Sequence, residues 1–335
     1  MLDCIKRMKG ERTLSGLYHI LTGKRSSQTL QDARVYQISR YFGIYKSLSR
    51  YDLDRLIDEL EQEGDIERAE GGSAYLTTKG EAKVEDGRDP LPYLNGFLLH
   101  DIVPQFARKL LLYIQTITNM TRNELHFIPI IEDKNVQEWV RERYDQDKKQ
   151  LQAVNDAIFC ELHAFLTRLT ETQAHLFVNR LSGGGYIGKT LQQLSDDIEY
   201  GRHDIHVFLH HLWSQLYVTV RNETAILYSF TDDTKPLITR SAQKTHDLLQ
   251  KGHQLAAVQE IRNLKMSTIQ DHIVEMALML PEFDILMYIP DSDAIHSIAA
   301  AAKRLETKKL KTIHQACDGR FDYFHIRLVL ARYLQ

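Results

Sequence analysis

Cysteine is scarce in this sequence, and the few cysteines do not group. Cys4, Cys160 and Cys317 are odd in number and far apart, which argues against a disulfide framework or a zinc ligand set and leaves three reduced, structural thiols as the expectation. Long apolar runs are missing as well. No stretch approaches the roughly 20 residues that cross a bilayer, and the opening MLDCIKRMKGER has charges where a signal peptide needs its apolar core. The chain is therefore expected to be cytoplasmic, with no membrane partner. Nor is there a large excess of either charge: 42 Lys and Arg against 45 Asp and Glu leave a net charge of -3.

That near balance hides an uneven distribution. Over residues 1–50, Lys6, Arg7, Lys9, Arg12, Lys24, Arg25, Arg34, Arg40, Lys46 and Arg50 face only Asp3, Glu11 and Asp32. The sign then reverses, with Asp52, Asp54, Asp58, Glu59, Glu61, Glu63, Asp65, Glu67 and Glu70 crowded into the next segment. A basic face invites phosphate and an acidic helix repels it. With 335 residues, 43% of them apolar and 26% charged, the chain suits a soluble protein of two or three domains with real cores.

Periodicity and turn signals give a mainly α fold in three parts. An N-terminal winged helix is expected over 1–89, with helices at 2–9, 13–22, 27–42 and, opened by Ser49-x-x-Asp52, a helix that stops at Gly64. Two short strand-like runs, 65–69 and 74–77, flank Glu70-Gly71-Gly72-Ser73 and read as a small β-hairpin wing. The tetrapeptide Gly87-Arg88-Asp89-Pro90 marks a boundary. A middle helical bundle follows over 91–235, with a kink expected at Pro104, a long amphipathic run over 134–169, and a strand-like 218–230. After Pro236 comes a C-terminal domain over 237–335. Its stretch LAAVQEIRNLKMSTIQDH has helix-turn-helix grammar: Leu255, Val258 and Ile261 at helical spacing, an interruption at 263–266, and a second helix opened by the capping-box spacing Ser267-x-x-Gln270.

Three apparent chemical motifs lack the context that would make them work. Residues 183–190, GGGYIGKT, fit the P-loop pattern G-x-x-x-x-G-K-[ST] at every position. A P-loop must follow a buried strand, whereas Ala174, Phe177, Val178 and Leu181 have helical spacing and the residues just before the glycines are polar. The expected reading is a turn between two helices, with Thr190 as N-cap and Gln193 completing the box. His203, His206, His210 and His211 share one helix, but no third ligand of fitting spacing accompanies them. The dipeptides His100-Asp101 and His203-Asp204 stand without the ligand set of a metal phosphohydrolase. No catalytic residue, metal site or cofactor is expected.

Candidate contacts to DNA or a partner come instead from charge and position. The second helix of the C-terminal motif contains Asp271 and Glu275 and, through residue 280, no Lys or Arg, the wrong charge for a phosphate-lined groove. Ile269, Ile273, Met276 and Leu280 are expected to pack inward, leaving Ser267, Thr268, Gln270, Asp271, His272 and Glu275 for outer contacts, to a basic protein surface in preference to DNA. Phosphate contacts are expected from Lys265 and from Lys303, Arg304, Lys308, Lys309 and Lys311, with Lys24, Arg25, Ser27, Gln28, Arg34 and Arg50 at the other end of the chain. Binding of that kind carries little sequence selectivity.

The opening RMKGERTLSGLYHILTGKRSSQTLQDARVYQISRYFG and the closing part, with STIQDHI, KKLKTIHQA and FDYFHIRLVLARYL, resemble the YpbB family of Firmicutes proteins, typically encoded beside a RecQ-type DNA helicase. The closing part also looks like the helix-turn-helix module at the C-terminus of some RecQ helicases. The resemblance implies a non-enzymatic DNA-binding or protein-interaction adaptor associated with a RecQ-type helicase, in DNA repair or recombination. A helix-turn-helix transcriptional regulator is the second expectation, and a P-loop NTPase using 183–190 the third. Reading that loop as a turn predicts that Lys189→Ala leaves stability and partner binding nearly unchanged. Isothermal titration with magnesium and ATP is the check: micromolar binding abolished by the substitution would restore the nucleotide site.

Overall fold

The computed structural model describes residues 1–84, 91–222, 226–231, 237–290 and 292–333, so both expected boundaries, the 87–90 tetrapeptide and Pro236, lie outside the described residues. By its contacts the chain forms two units, Met1–Arg88 with Pro236–Gln335, and Asp89–Lys235. The two ends of the chain thus share one body, an association over long sequence separation that local pattern does not reveal.

The N-terminal segment carries α1 (Leu2–Met8), α2 (Leu14–Thr22), α3 (Ser27–Val35), α4 (Arg50–Gln62), β1 (Ile66–Arg68), β2 (Ala74–Leu76) and α5 (Thr78–Val84). Side chains of Thr13, Ser26 and Ser49 accept from the first-turn amides of α2, α3 and α4. The third helix is shorter than its apolar pattern predicts. It ends at Val35, because Gln37 takes a left-handed backbone at φ 57° and a 3-10 turn follows over Ser39–Tyr41. The wing is antiparallel, pairing Ile66 with Leu76, Glu67 with Tyr75 and Arg68 with Ala74, and Gly71 and Gly72 supply positive φ at its tip.

The middle unit consists of α6 (Gly96–Leu99), α7 (Ile102–Thr121), α8 (Lys134–Asp147), α9 (Leu151–Leu166), α10 (Glu171–Val178), α11 (Leu191–Ile198) and α12 (Arg202–Asn222). Its core is aromatic: Phe106 meets Trp213 and Tyr217 edge to face, and Phe177 packs against Trp213 with ring centroids 4.5 Å apart. Pro104 makes no mid-helix kink, since it stands in the first turn of α7, where no intrahelical amide is needed. The strand-like run at 218–230 is helical up to Asn222 and forms a 3-10 turn over Ile226–Phe230. Burial of Tyr217, Val220, Leu227 and Phe230 in the common core outweighs the strand preference of its β-branched residues.

The C-terminal segment adds α13 (Arg240–Gln250), α14 (Leu255–Arg262), α15 (Met266–Met279), α16 (Ser292–Arg304), α17 (Leu310–Ala316) and α18 (Tyr323–Tyr333). Helices α14 and α15 make the helix-turn-helix, with Asn263 left-handed at φ 48° between them. The capping box expected at Ser267 does not form. Helix α15 starts two residues earlier than that box requires, with Lys265 at the N-cap and no side-chain cap bond, so exposed Ser267 lies inside the first turn. From His272 to Met279 every residue of α15 is buried. A helix covered all round is interior, and α3, α13, α14 and α18 surround it.

One close approach fixes the wing. A methyl group on Gly80, in α5, would lie 2.0 Å from the carbonyl oxygen of Asp65, which itself accepts the Thr77 amide at 3.0 Å. Gly80→Ala is therefore expected to cost about 1–3 kcal/mol through the backbone shift it forces. Denaturant unfolding of the purified protein measures it, and a variant as stable as the parent would show that the wing can move aside.

Candidate nucleic-acid and partner interface

The motifs of the middle unit are occupied by their own surroundings. In the glycine turn between α10 and α11, Gly184 N–H donates to Asn119 Oδ1 and Gly188 N–H to Ser182 Oγ, both at 2.8 Å. Lys189 Nζ is held 2.7 Å from Asp197 Oδ2, and Thr190 and Gln193 form a complete capping box. The Gly184 and Gly188 amides and the lysine are thus engaged by the protein's own side chains, and a helix, not a strand, leads into the turn. Among the described residues no group of three or more His, Cys, Asp and Glu is placed to hold a metal.

In the other unit, α15 turns its polar side chains toward the N-terminal segment. Ser27 Oγ, at the start of α3, donates to Asp271 Oδ1 at 2.7 Å, and Arg327 of α18 reaches the same oxygen at 2.7 Å while its Nε donates to Gln31 Oε1 at 2.9 Å. Glu275 is buried. It accepts from the Thr239 amide at 2.6 Å and the Thr239 hydroxyl at 2.9 Å, with the Arg25 guanidinium 3.6 Å away. Burial pushes its carboxyl above the usual range, and the Thr239 bonds and Arg25 pull it back. Arg25 also donates to the Leu237 carbonyl at 2.6 Å.

His272 is enclosed by α13 and α14. Its Nδ1 lies 2.8 Å from Thr245 Oγ, which accepts from Arg262 at 2.7 Å. Burial, and then the Arg262 charge, holds the imidazole below its ordinary pKa. At the far end of α15, Arg34 donates to the Leu278 carbonyl at 3.2 Å and Arg332 to those of Leu280 and Phe283 at 2.7 Å, supplying cations where the last carbonyls of a helix need donors.

This arrangement corrects the outward role expected for α15 and for part of the basic segment. His272 and Glu275 are buried, Asp271 is half-exposed but paired, and the cations that the acidic helix meets are the chain's own: Arg327 of α18 at Asp271, and Arg25, just before α3, at Glu275. Arg25, Ser27 and Arg34 are taken up in that contact. Gln28 donates to Asp32, and Arg50 pairs with Asp54 and lies over the Tyr18 ring. Lys24, Lys265 and Ser267 remain exposed, with Thr268 and Gln270 half-covered. Lys303 and Arg304 are exposed in the last turn of α16, Lys309 and Lys311 are exposed beyond it, and Lys308 is half-buried. Sequence reasoning missed Gln31, Thr239, Thr245, Arg262, Arg327 and Arg332. Its one usable signal was the opposite charge of the N-terminal segment and α15.

Reversing the two acids tests this packing. Asp271→Lys with Glu275→Lys sets cations against Arg327 and Arg25 and strips the Thr239 amide of its acceptor, so the unit is expected to lose about 3–5 kcal/mol, as when one member of a buried pair is removed. Thermal and denaturant unfolding report it; unchanged stability would return α15 to the surface.

Comparison with known proteins agrees with this architecture. A family model described as an RQC domain matches residues 1–91, and one described as a helix-turn-helix domain matches residues 241–330. Protein YpbB of Bacillus subtilis (strain 168) is 30% identical over 345 residues, an alignment that covers 100% of this chain and 97% of that protein. No solved structure matches. Both matched modules are non-catalytic, and together they give the chain a RecQ-related DNA-binding or adaptor role. No helix among the described residues is long and apolar enough to cross a membrane. With a relative of this identity along its whole length, the chain belongs to the YpbB family.

Proposed function

We propose that this protein is a non-enzymatic adaptor that binds DNA with little sequence selectivity and works with a RecQ-type helicase. The burial of α15 carries the reading. A helix that reads bases must lay side chains into the major groove, and from Asp271 onward the polar side chains of α15, Asp271, His272 and Glu275, are engaged with the start of α3, with α13 and with α18, which leaves Ser267, Thr268 and Gln270 at its start for the surface. Helix α4, which leads into the wing, directs Asp54, Asp58, Glu59 and Glu61 outward with Arg50 and Arg55 as local counter-ions, a face that phosphate would repel. The cations left exposed contact phosphate, which positions a protein on DNA without reporting its sequence. An operator-specific regulator would need an exposed reading helix, so the adaptor reading is preferred.

The RQC and helix-turn-helix modules and the family resemblance support this choice of partner. Segments 1–89, 91–235 and 237–335 serve as its working parts, the first and last acting together. Affinity capture of the tagged full chain from native extract, with nuclease added, tests the association. The expected result is a RecQ-type helicase in the eluate at undiminished yield after nuclease. Its absence, or its loss on nuclease treatment, would overturn direct partnership.

A further inference from the structure

The two ends of the chain also meet at a second place, outside the α3 and α15 contact. Glu11, in the turn after α1, clasps the turn after α16. Its carboxylate accepts from the Thr307 hydroxyl, from the Lys308 amide at 2.9 Å and from the Tyr36 hydroxyl at 2.9 Å. Each turn is the C-terminal end of a helix: Lys9 closes α1 in a left-handed conformation at φ 48°, and Lys303 stands in the last turn of α16, its carbonyl accepting the Glu306 amide at 3.2 Å. The clasp sets Lys9 and Lys308 on a groove of about 250 Å³, lined also by Arg7 and Glu306, with Lys303 close enough for its charge to act on Lys308.

The charge balance there is positive. Arg7 is paired with Asp3 and hydrogen-bonded to Gln37, and the Glu11 oxygens are spent on the clasp. Lys9, Lys303 and Lys308 make no ion pair among the described residues, and Glu306 is the acid in the groove lining whose side chain makes no hydrogen bond among them. We propose that Lys9, Lys303 and Lys308 form one seam, built from both ends of the chain, that grips the phosphate backbone of DNA. The strain within the seam fits this use: burial, then the charges of Lys9 and Lys303 acting against Glu11, lowers the Lys308 pKa. An incoming phosphate neutralises that repulsion, whereas another side chain of the fold does not. Such a seam exists only when the two ends are joined, so DNA binding is a property of the assembled unit.

The inference rests on the DNA-binding reading above, and one experiment separates the two. Full-length protein is titrated into a labelled duplex, and into a single strand of the same sequence, over a series of salt concentrations by fluorescence anisotropy. The variants are Lys9→Asn, which tolerates the left-handed backbone, the pair Lys303→Gln with Lys308→Gln, and the triple substitution. Each phosphate contact contributes about 0.9 to the duplex salt slope, so Lys9→Asn is expected to lower the slope by about one, the pair by about two, and the triple by nearly three, with affinity at 0.1 M salt falling on the order of tenfold or more. The triple Lys→Arg variant is expected to bind like the parent. A parent protein that does not bind DNA would overturn the DNA-binding reading and the seam with it. Binding by the parent with an unchanged slope in the triple variant would overturn the seam alone, as would a slope lowered by changes at one end and untouched by those at the other.

Discussion

The fold of the larger unit depends on a helix that carries a histidine and two acids into packed surroundings. Taking Glu275 and His272 out of water is unfavourable unless every polar atom finds a partner, and α15 finds them on α13, α14, α18 and the N-terminal segment together. No local piece of the chain can satisfy that demand. The association of residue 25 with residue 275, and of 27 with 271, is therefore a requirement of α15 itself, and the apolar contacts of Ile269, Ile273 and Met276 make it favourable. Polar pairs are also directional, so they fix how α3 lies against α15 where an apolar face would tolerate sliding.

Much of the local structure was legible in the residues. The wing, the cap at Thr190 with Gln193, the helix-turn-helix and the placing of the P-loop pattern in a turn between two helices all follow from spacing and turn chemistry that act over a few residues. Pro104 and the run 218–222 were misread for a common reason. A proline in a first turn and a β-branched pair on a buried helix face look like a kink and a strand until the start of the helix and its packing are known. Ser267 misses the cap position by two residues, within the ordinary uncertainty of a helix start.

The candidate site was harder to read, because charge in a sequence carries no address. Arg25, Arg34, Ser27, Asp271 and Glu275 read as outward-facing from the sequence, yet each has its counterpart more than two hundred positions away in the same chain or in a helix near the C-terminus. The reasoning that an acidic helix prefers a basic protein surface was sound physics. What it lacked was the identity of that surface, which turned out to be internal.

The discontinuous build of this unit also sets a timetable for its synthesis. The N-terminal segment leaves the ribosome first, but α15 and α18, which cover α3, are made only after the whole of Asp89–Lys235. At about 5–20 residues per second the face of α3 waits on the order of ten seconds or more for its cover. During that interval the middle unit, continuous in sequence, has all its own partners available and can condense, while α3 stays without α15 and α18. The nascent chain is thus a transient client surface, open to chaperones or to another copy's C-terminal segment, and exchange of that segment between two chains would yield a domain-swapped dimer by the same contacts that close the monomer.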